Sequence, residues 1–194
     1  MPFIATPSES ELTDEATQVL QQEEANWGYV PNYAYLFAMR PATHRAWGAL
    51  VGSVRNAMER RLYELVTIAA ARALRSSYCS MAHTQFLITK ADDRTGAEVA
   101  ASGNYERIGA KEAALMRYAE QIVLDASAVT QADIDTLRVA GASEDEIVNT
   151  ALAASVRCFF AKFLDATGVQ PDRQLAEFLG PELAMPLTVG RVPG

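Results

Sequence analysis

The fold turns on residues 64–83, which read ELVTIAAARALRSSYCSMAH. The first part of this stretch is apolar and rich in alanine, a composition that favours a buried α-helix. The two serines that follow, Ser76 and Ser77, are of the type preferred at helix N-termini, so they predict a second helix from that point. The stretch therefore predicts helices over residues 58–75 and 77–90, which can fold back on each other as a hairpin.

The rest of the chain is also predicted to be helical. Apolar residues recur at helical spacing, and Gly, Pro and capping residues separate the segments. The remaining helices are predicted over residues 8–26, 32–39, 41–54, 92–103, 110–125, 130–141, 143–168 and 171–179. Because no repeat or linker divides the chain, we expect one all-α domain over residues 1–194. It comprises N-terminal helices at 9–57, the hairpin at 58–90 and a C-terminal tail at 180–194.

Composition and sequence patterns argue against several classes of function. The chain has 194 residues and a net charge of −7, which argues against a basic nucleic-acid-binding face and a polybasic membrane contact. No run of about 18 apolar residues predicts a membrane span, and the N-terminus lacks the pattern of a signal peptide. Two cysteines are too few for a disulfide framework, so a cytoplasmic protein with reduced thiols is expected. CxxC, HExxH and GxGxxG patterns are absent, so neither a metal nor an organic cofactor is expected.

One cluster of residue types in the hairpin can carry chemistry. The predicted cap at Ser76 places Cys79 in the first turn of a helix, where the helix dipole favours a thiolate. His83 lies four residues later, on the same face and one turn away. Glu64 on the preceding helix can reach the imidazole and fix its tautomer. Tyr78 can pass a proton through its hydroxyl. The competing interpretation is structural, since a cysteine or histidine on an apolar helix is more often a core residue.

Other polar residues receive structural interpretations. His44 is interpreted as a surface or capping residue, and Cys158 as an inert core cysteine. Arg60 and Arg61 are predicted to form a solvated helix start, whereas Arg72 and Arg75 are close enough in sequence to stabilise a thiolate at Cys79. The helix through 146–164 is apolar around much of its circumference. It is either the central helix of a monomer or part of a self-association surface.

The hairpin resembles the core motif of the alkylhydroperoxidase AhpD-like proteins, in the carboxymuconolactone decarboxylase superfamily. That motif has a Glu, a Cys-x-x-Cys beginning twelve residues later, and a His four residues after the second Cys. Glu64, Ser76, Cys79 and His83 occupy these positions. The flanking stretches WGYVPN (27–32), RP (40–41) and FLDATGV (163–169) resemble the family's peroxidase-related branch. The resemblance covers about residues 15–172 and implies an AhpD-like helical bundle.

The resemblance also implies a function, and one position of this sequence departs from the family's motif. It implies a thiol-dependent antioxidant oxidoreductase that reduces a hydroperoxide at Cys79, with a relay from Glu64 through His83 and Tyr78. It further implies a homo-oligomer, a trimer or a hexamer. Ser76 stands where the family has its first cysteine, so this position cannot form the family's disulfide. An external thiol can then reduce Cys79, Cys158 can act as a resolving thiol, or the redox activity is lost.

Two other functions remain open at this point. The first is a carboxymuconolactone-decarboxylase-like enzyme that uses Glu64 and His83 for proton transfer, with Cys79 as part of the pocket wall. The second is a non-enzymatic helical oligomer that retains a vestigial site. Replacing Cys79 separates thiol chemistry from these two alternatives, because only thiol chemistry requires the cysteine sulfur.

Overall fold

The computed structural model describes residues 2–194 as a helical protein. Over that range it has ten α-helices, three short 3-10 turns and no strand, which confirms the all-α prediction. The helices are α1 Asp14–Trp27, α2 Ala34–Ala38, α3 Pro41–Asn56, α4 Arg60–Ala73, α5 Ser77–Ala91, α6 Arg94–Ser102, α7 Ala110–Asp125, α8 Gln131–Val139, α9 Glu144–Thr167 and α10 Arg173–Leu187.

Helices α4 and α5 form the predicted hairpin at the centre of the core. Every residue from Leu62 to Ala71 is buried, which accounts for the apolar run in α4. The turn is tight: Arg75 adopts a left-handed conformation (φ 58°), and the Ser76 N–H donates to the Ala71 carbonyl at 2.9 Å. Ser76 is the extended N-cap residue of α5. The turn thus places the first residues of α5 beside the end of α4.

Helix α9 packs against α3, α4 and α7. Its start is fixed by the predicted capping box, in which the side chains of Ser143 and Glu146 each bond the other's backbone N–H. Gly168 ends it in a left-handed conformation (φ 78°). Helix α9 is long and apolar enough to cross a membrane, but half of its most apolar stretch is buried inside the molecule. Packing within the molecule accounts for the apolar residues on the buried side of α9.

The N-terminal helices form a layer beside the hairpin. Helices α1, α2 and α3 pack on one another, and α3 also packs against α9. Only half of the predicted capping box at Ser8 forms: the Ser8 N–H donates to Glu11 Oε2 at 2.8 Å, but the Ser8 hydroxyl donates to the same carboxylate and does not accept the Glu11 N–H. The segment makes only a 3-10 turn. Helix α1 begins at Asp14 and is capped by Thr13. This layer encloses a cavity against α4, α5 and α9.

The C-terminal segment differs from the prediction. Helix α10 does not end near residue 179 but continues to Leu187 through a kink at Gly180 (φ 70°). Pro181 is tolerated there because it opens the second helical piece, where its missing N–H has no helical acceptor.

Two arginines anchor this segment to the hairpin. Arg72 donates to the Pro186 carbonyl at 2.8 Å, and Arg75 to the Val189 carbonyl at 3.3 Å. Neither lines the cavity that contains Cys79. The prediction that they stabilise the thiolate is therefore wrong, because their side chains are used to hold the C-terminal segment.

Candidate active site

A cavity of about 530 Å³ lies between α1, α3, α4, α5 and α9. Its size falls within the range of about 300–1,000 Å³ that is usual for small-molecule sites. Four of the five predicted site residues line it: Glu64, Tyr78, Cys79 and His83. Ser76 does not.

The Cys79 thiol faces a buried cation. Cys79 is in the first turn of α5, and Arg157 Nη1 of α9 lies 3.5 Å from its Sγ. Arg157 is only 4% exposed, and its guanidinium also lies over the rings of Trp47 and Phe160 at 5.8 and 5.5 Å. Burial lowers the pKa of Arg157, but attraction to Cys79 and Tyr63 outweighs burial and the net shift is upward. Arg157 therefore remains charged, and its guanidinium is placed to stabilise negative charge on the sulfur of Cys79.

Glu64 and His83 form a pair across the hairpin. His83 Nδ1 lies 2.5 Å from Glu64 Oε2, and Glu64 is fully buried. Because a carboxylate accepts, Nδ1 carries the proton and Nε2 is the ring's accepting nitrogen. The other carboxylate oxygen, Oε1, is in ionic contact with Arg60 Nε at 2.6 Å, without the geometry of a hydrogen bond. Arg60 lines the cavity, so its interpretation as a solvated residue is wrong.

His83 is suited to accept a proton at neutral pH. Burial lowers its pKa below 6.5, and the positive charge of Arg157 lowers it further. Glu64 opposes this shift but does not reverse it. The ring is therefore neutral at pH 7, with an accepting nitrogen inside the cavity.

The Tyr78 hydroxyl is engaged elsewhere. It donates to Asp172 Oδ2, and the same carboxylate accepts from the Asn32 N–H at 2.7 Å and from the Tyr29 hydroxyl at 3.4 Å. Burial, followed by the charge of Asp172, raises the pKa of Tyr78 well above its ordinary value. A hydroxyl has one proton to donate, and here that proton is used by Asp172. The predicted relay through Tyr78 is therefore not the arrangement in the structure.

Ser76 and Cys158 lie outside the cavity. Ser76 is fully buried. The Ser76 hydroxyl faces Asp165, although without full hydrogen-bond geometry. Burial raises the pKa of Asp165, and Arg191 and the Ser76 hydroxyl partly oppose this rise. Cys158 is half-buried, and burial raises the pKa of its thiol. Cys158 follows Arg157 on α9. Its side chain therefore points about 100° around the helix axis from that of Arg157, which contacts Cys79.

A second glutamate–histidine pair lines the same cavity. His44 Nε2 of α3 lies 2.7 Å from Glu23 Oε1 of α1, and both side chains are buried. The Tyr33 hydroxyl donates to Glu23 Oε2, and Trp27 Nε1 donates to the Tyr33 hydroxyl at 3.0 Å. His44 is therefore not a surface or capping residue. That interpretation is wrong because α1 brings a buried carboxylate to the ring.

Sequence reasoning missed three functional candidates. Arg157 had a signal, since a lone charge within the apolar stretch ALAASVRCFF (151–160) requires a buried partner. Glu23 and His44 had none, because the pairing depends on how α1 packs against α3. Over residues 2–194, no group of three or more His, Cys, Asp or Glu side chains is arranged to hold a metal ion.

No family model matches the chain. No curated protein matches it either. One similar solved structure is an uncharacterized peroxidase-related protein with the alkylhydroperoxidase AhpD core, from Ralstonia eutropha JMP134. Its TM-score is 0.78 at 21% identity, covering 100% of this chain and 98% of that one.

Two further solved structures are similar to this chain in fold. An uncharacterized peroxidase-related protein from Silicibacter sp. TM1040 has a TM-score of 0.78 at 17% identity, covering 90% of this chain and 93% of that one. A cysteine-to-alanine variant of the debrominase Bmp8, in complex with 2,3,4-tribromopyrrole, has a TM-score of 0.74 at 16% identity. The coverage is 91% of this chain and 95% of the debrominase. Together with the helical hairpin, these likenesses show that the chain has the AhpD-like fold of the peroxidase-related proteins.

Proposed function

We propose that the protein is a thiol-dependent oxidoreductase that reduces a hydroperoxide at Cys79. The observation that carries the proposal is the contact of 3.5 Å between Cys79 Sγ and the buried Arg157 guanidinium, in a cavity that also contains the Glu64–His83 pair. A buried cation beside a cysteine in the first turn of a helix stabilises the thiolate, which is the nucleophilic form. A buried cysteine with only a packing role has no need of a guanidinium.

Activation transfers one proton within the cavity. The Cys79 thiol loses its proton to His83 Nε2, directly or through water, and Arg157 compensates the negative charge that forms on sulfur. Glu64 holds the opposite ring nitrogen and stabilises the imidazolium. Glu64 and His83 are both buried, so this electrostatic stabilisation is stronger than it would be in water.

The redox step is a two-electron transfer. The thiolate attacks the terminal oxygen of the hydroperoxide, a sulfur–oxygen bond forms, and the oxygen–oxygen bond breaks. The departing alkoxide takes the proton from His83 and leaves as the alcohol. Cys79 is oxidised to a sulfenic acid, and the hydroperoxide is reduced.

An external thiol completes the cycle. Neither Ser76 nor Cys158 lines the cavity, so we propose that the resolving sulfur comes from a small thiol. Its thiolate attacks the sulfur of the sulfenic acid, a sulfur–sulfur bond forms and the sulfur–oxygen bond breaks. The departing hydroxide takes a proton, from the small thiol or from solvent, and leaves as water, which gives a mixed disulfide. A second thiol then releases Cys79 and leaves as the oxidised disulfide. This chemistry fits a reducing compartment, in keeping with a cytoplasmic location.

The fold likeness supports the proposal without deciding the substrate. Peroxidase-related proteins share the fold, and so does a debrominase, so the scaffold accommodates more than one chemistry. The experiment must therefore separate thiol chemistry from proton transfer at Glu64 and His83.

The test measures hydroperoxide consumption by the wild type and by Cys79→Ser, with Cys158→Ser as the matched control. We expect the wild type and Cys158→Ser to consume hydroperoxide when dithiothreitol is supplied, and Cys79→Ser to be inactive. Mass spectrometry, after trapping with dimedone, is expected to find the sulfenic acid on Cys79. Consumption that persists in Cys79→Ser, or is absent from the wild type, contradicts the proposal and redirects the search to acid–base chemistry or binding.

A further inference from the structure

The second glutamate–histidine pair, Glu23 and His44, has the features of a ligand-binding group. Both oxygens of Glu23 are occupied, one by the Tyr33 hydroxyl and the other by His44. In a neutral His44, donation from Nε2 to Glu23 leaves Nδ1 as the ring's accepting nitrogen. That Nδ1 is buried and has no hydrogen-bond partner in the protein, although His44 lines the cavity and is only 7% exposed.

An unpartnered buried acceptor needs an explanation. Leaving such a group unsatisfied is destabilising, so we interpret a site that retains it as organised for a partner from outside. The network from Trp27 through Tyr33 and Glu23 to His44 fixes the ring, so the acceptor is held in place before any ligand arrives. The complementary ligand group is a hydroxyl that donates a hydrogen bond.

The cavity wall indicates the rest of the ligand. Trp27, Trp47 and Phe86 are half-buried and line the cavity, and the Trp27 and Phe86 rings lie 5.0 Å apart. Trp47 stacks on Phe160, which also lines the cavity, at 5.3 Å. Aromatic walls of this kind favour a planar ring beyond what the burial of apolar area alone provides.

We propose that the cavity selects hydroperoxides that carry an aromatic ring, and that His44, held by Glu23, accepts the hydrogen bond of their terminal O–H. As a statement of substrate class this rests on the proposed function. The two histidines then have separate tasks. His44 orients the terminal oxygen, which keeps its proton and is transferred to sulfur, whereas His83 supplies the proton to the oxygen that leaves.

The test is equilibrium binding to Cys79→Ser, which cannot react, followed by quenching of tryptophan fluorescence. The probes are cumene hydroperoxide, cumene and tert-butyl hydroperoxide. Cumene has the same ring without the O–OH group, and tert-butyl hydroperoxide has the same donor without the ring. We expect cumene hydroperoxide to bind at least about tenfold more tightly than either of the others, since one satisfied buried hydrogen bond or one ring contact is worth about that much.

The matched variant is His44→Gln in the Cys79→Ser background. Glutamine can keep an N–H donated to Glu23, but its acceptor is the carbonyl oxygen on the same terminal carbon, so no acceptor remains at the position of the ring's Nδ1. We expect His44→Gln to lose the preference for cumene hydroperoxide over cumene and to bind cumene as before, which also shows that the cavity has kept its shape. In the reactive protein, His44→Gln is expected to raise KM several-fold with a smaller change in kcat.

Three results would overturn the inference: equal binding of cumene and its hydroperoxide, equal binding of the two hydroperoxides, or an unchanged preference in His44→Gln. None of them depends on the thiol. If Cys79→Ser binds as expected but the wild type consumes no hydroperoxide, the binding site stands and the proposed function fails. If the wild type consumes hydrogen peroxide but the binding preferences are absent, the proposed function stands and this inference fails.

Discussion

At the scale of single residues, the reactivity of Cys79 depends on Arg157. A hydrogen bond to a charged group contributes about 1.5–3 kcal/mol. Replacing Arg157 by methionine keeps an apolar, unbranched side chain at this position but removes the charge beside sulfur and over the rings of Trp47 and Phe160. We expect Arg157→Met to slow alkylation of Cys79 by iodoacetamide at pH 7 by about tenfold or more, measured in a Cys158→Ser background. Arg157→Lys is the control and should retain part of the rate. An unchanged rate in Arg157→Met would remove the argument for an activated thiol.

His83 gives a pH dependence of stability with a definite sign. Its pKa in the folded protein lies below 6.5, chiefly because of burial. Between that lowered pKa and about 6.5, the unfolded state binds more protons, so the free energy of unfolding decreases as the pH falls through this window. Below both values the contribution is constant. We expect urea unfolding of the wild type to show this loss, and His83→Gln to show a smaller one. Parallel pH profiles for the two proteins would contradict the lowered pKa.

At the scale of elements, we propose that the α4–α5 hairpin keeps the geometry of the two-cysteine motif that it resembles, with Ser76 at the position of the first cysteine. Ser76 and Cys79 are three residues apart at a helix start, which places their Cβ atoms about 5–6 Å apart, and small adjustments bring such a pair into disulfide range. We expect Ser76→Cys to form a disulfide with Cys79 on treatment with hydrogen peroxide. Loss of both thiols to alkylation, with peptide mapping of the bridge, is the measurement.

Ser77→Cys is the matched control for the hairpin. Position 77 is two residues from Cys79, so the side chains do not face each other, and the Ser77 hydroxyl accepts from the Gly190 N–H at 2.8 Å. A disulfide in Ser77→Cys, or none in Ser76→Cys, would show that the start of α5 does not hold the geometry described.

The hairpin also shows how far sequence reasoning reaches. Glu64 and His83 were predicted to meet because both belong to one continuous motif, and the structure brings them to 2.5 Å. Arg157 reaches Cys79 across 78 residues, and His44 reaches Glu23 across 21. Such contacts depend on how separate helices pack, and a single sequence encodes the packing only through its apolar pattern. For the same reason the anchoring role of Arg72 and Arg75 was not foreseen, because it depends on α10 continuing past Gly180.

At the scale of the whole molecule, α9 leaves an apolar stripe uncovered. Val148, Leu152 and Phe159 lie along one side of the helix and are 57%, 45% and 47% exposed. Trp47 of α3 stacks on Phe159 at 5.2 Å, so the stripe continues onto α3. Burying side chains of this size contributes about 1.5–3 kcal/mol each. A second copy of the chain is the occupant that the family resemblance implies.

We therefore expect a homo-oligomer, a trimer or a hexamer of the 21.1 kDa chain, held through this stripe. The double variant Val148→Lys, Leu152→Lys places charges within the stripe and should dissociate the assembly, because a buried unpaired charge is strongly unfavourable. Val139→Lys is the control, since Val139 on α8 is 89% exposed and lies outside the stripe. Light scattering coupled to size exclusion gives the mass. A monomeric wild type, or an assembly that survives the double variant, would mean that the stripe does not hold copies of this chain together.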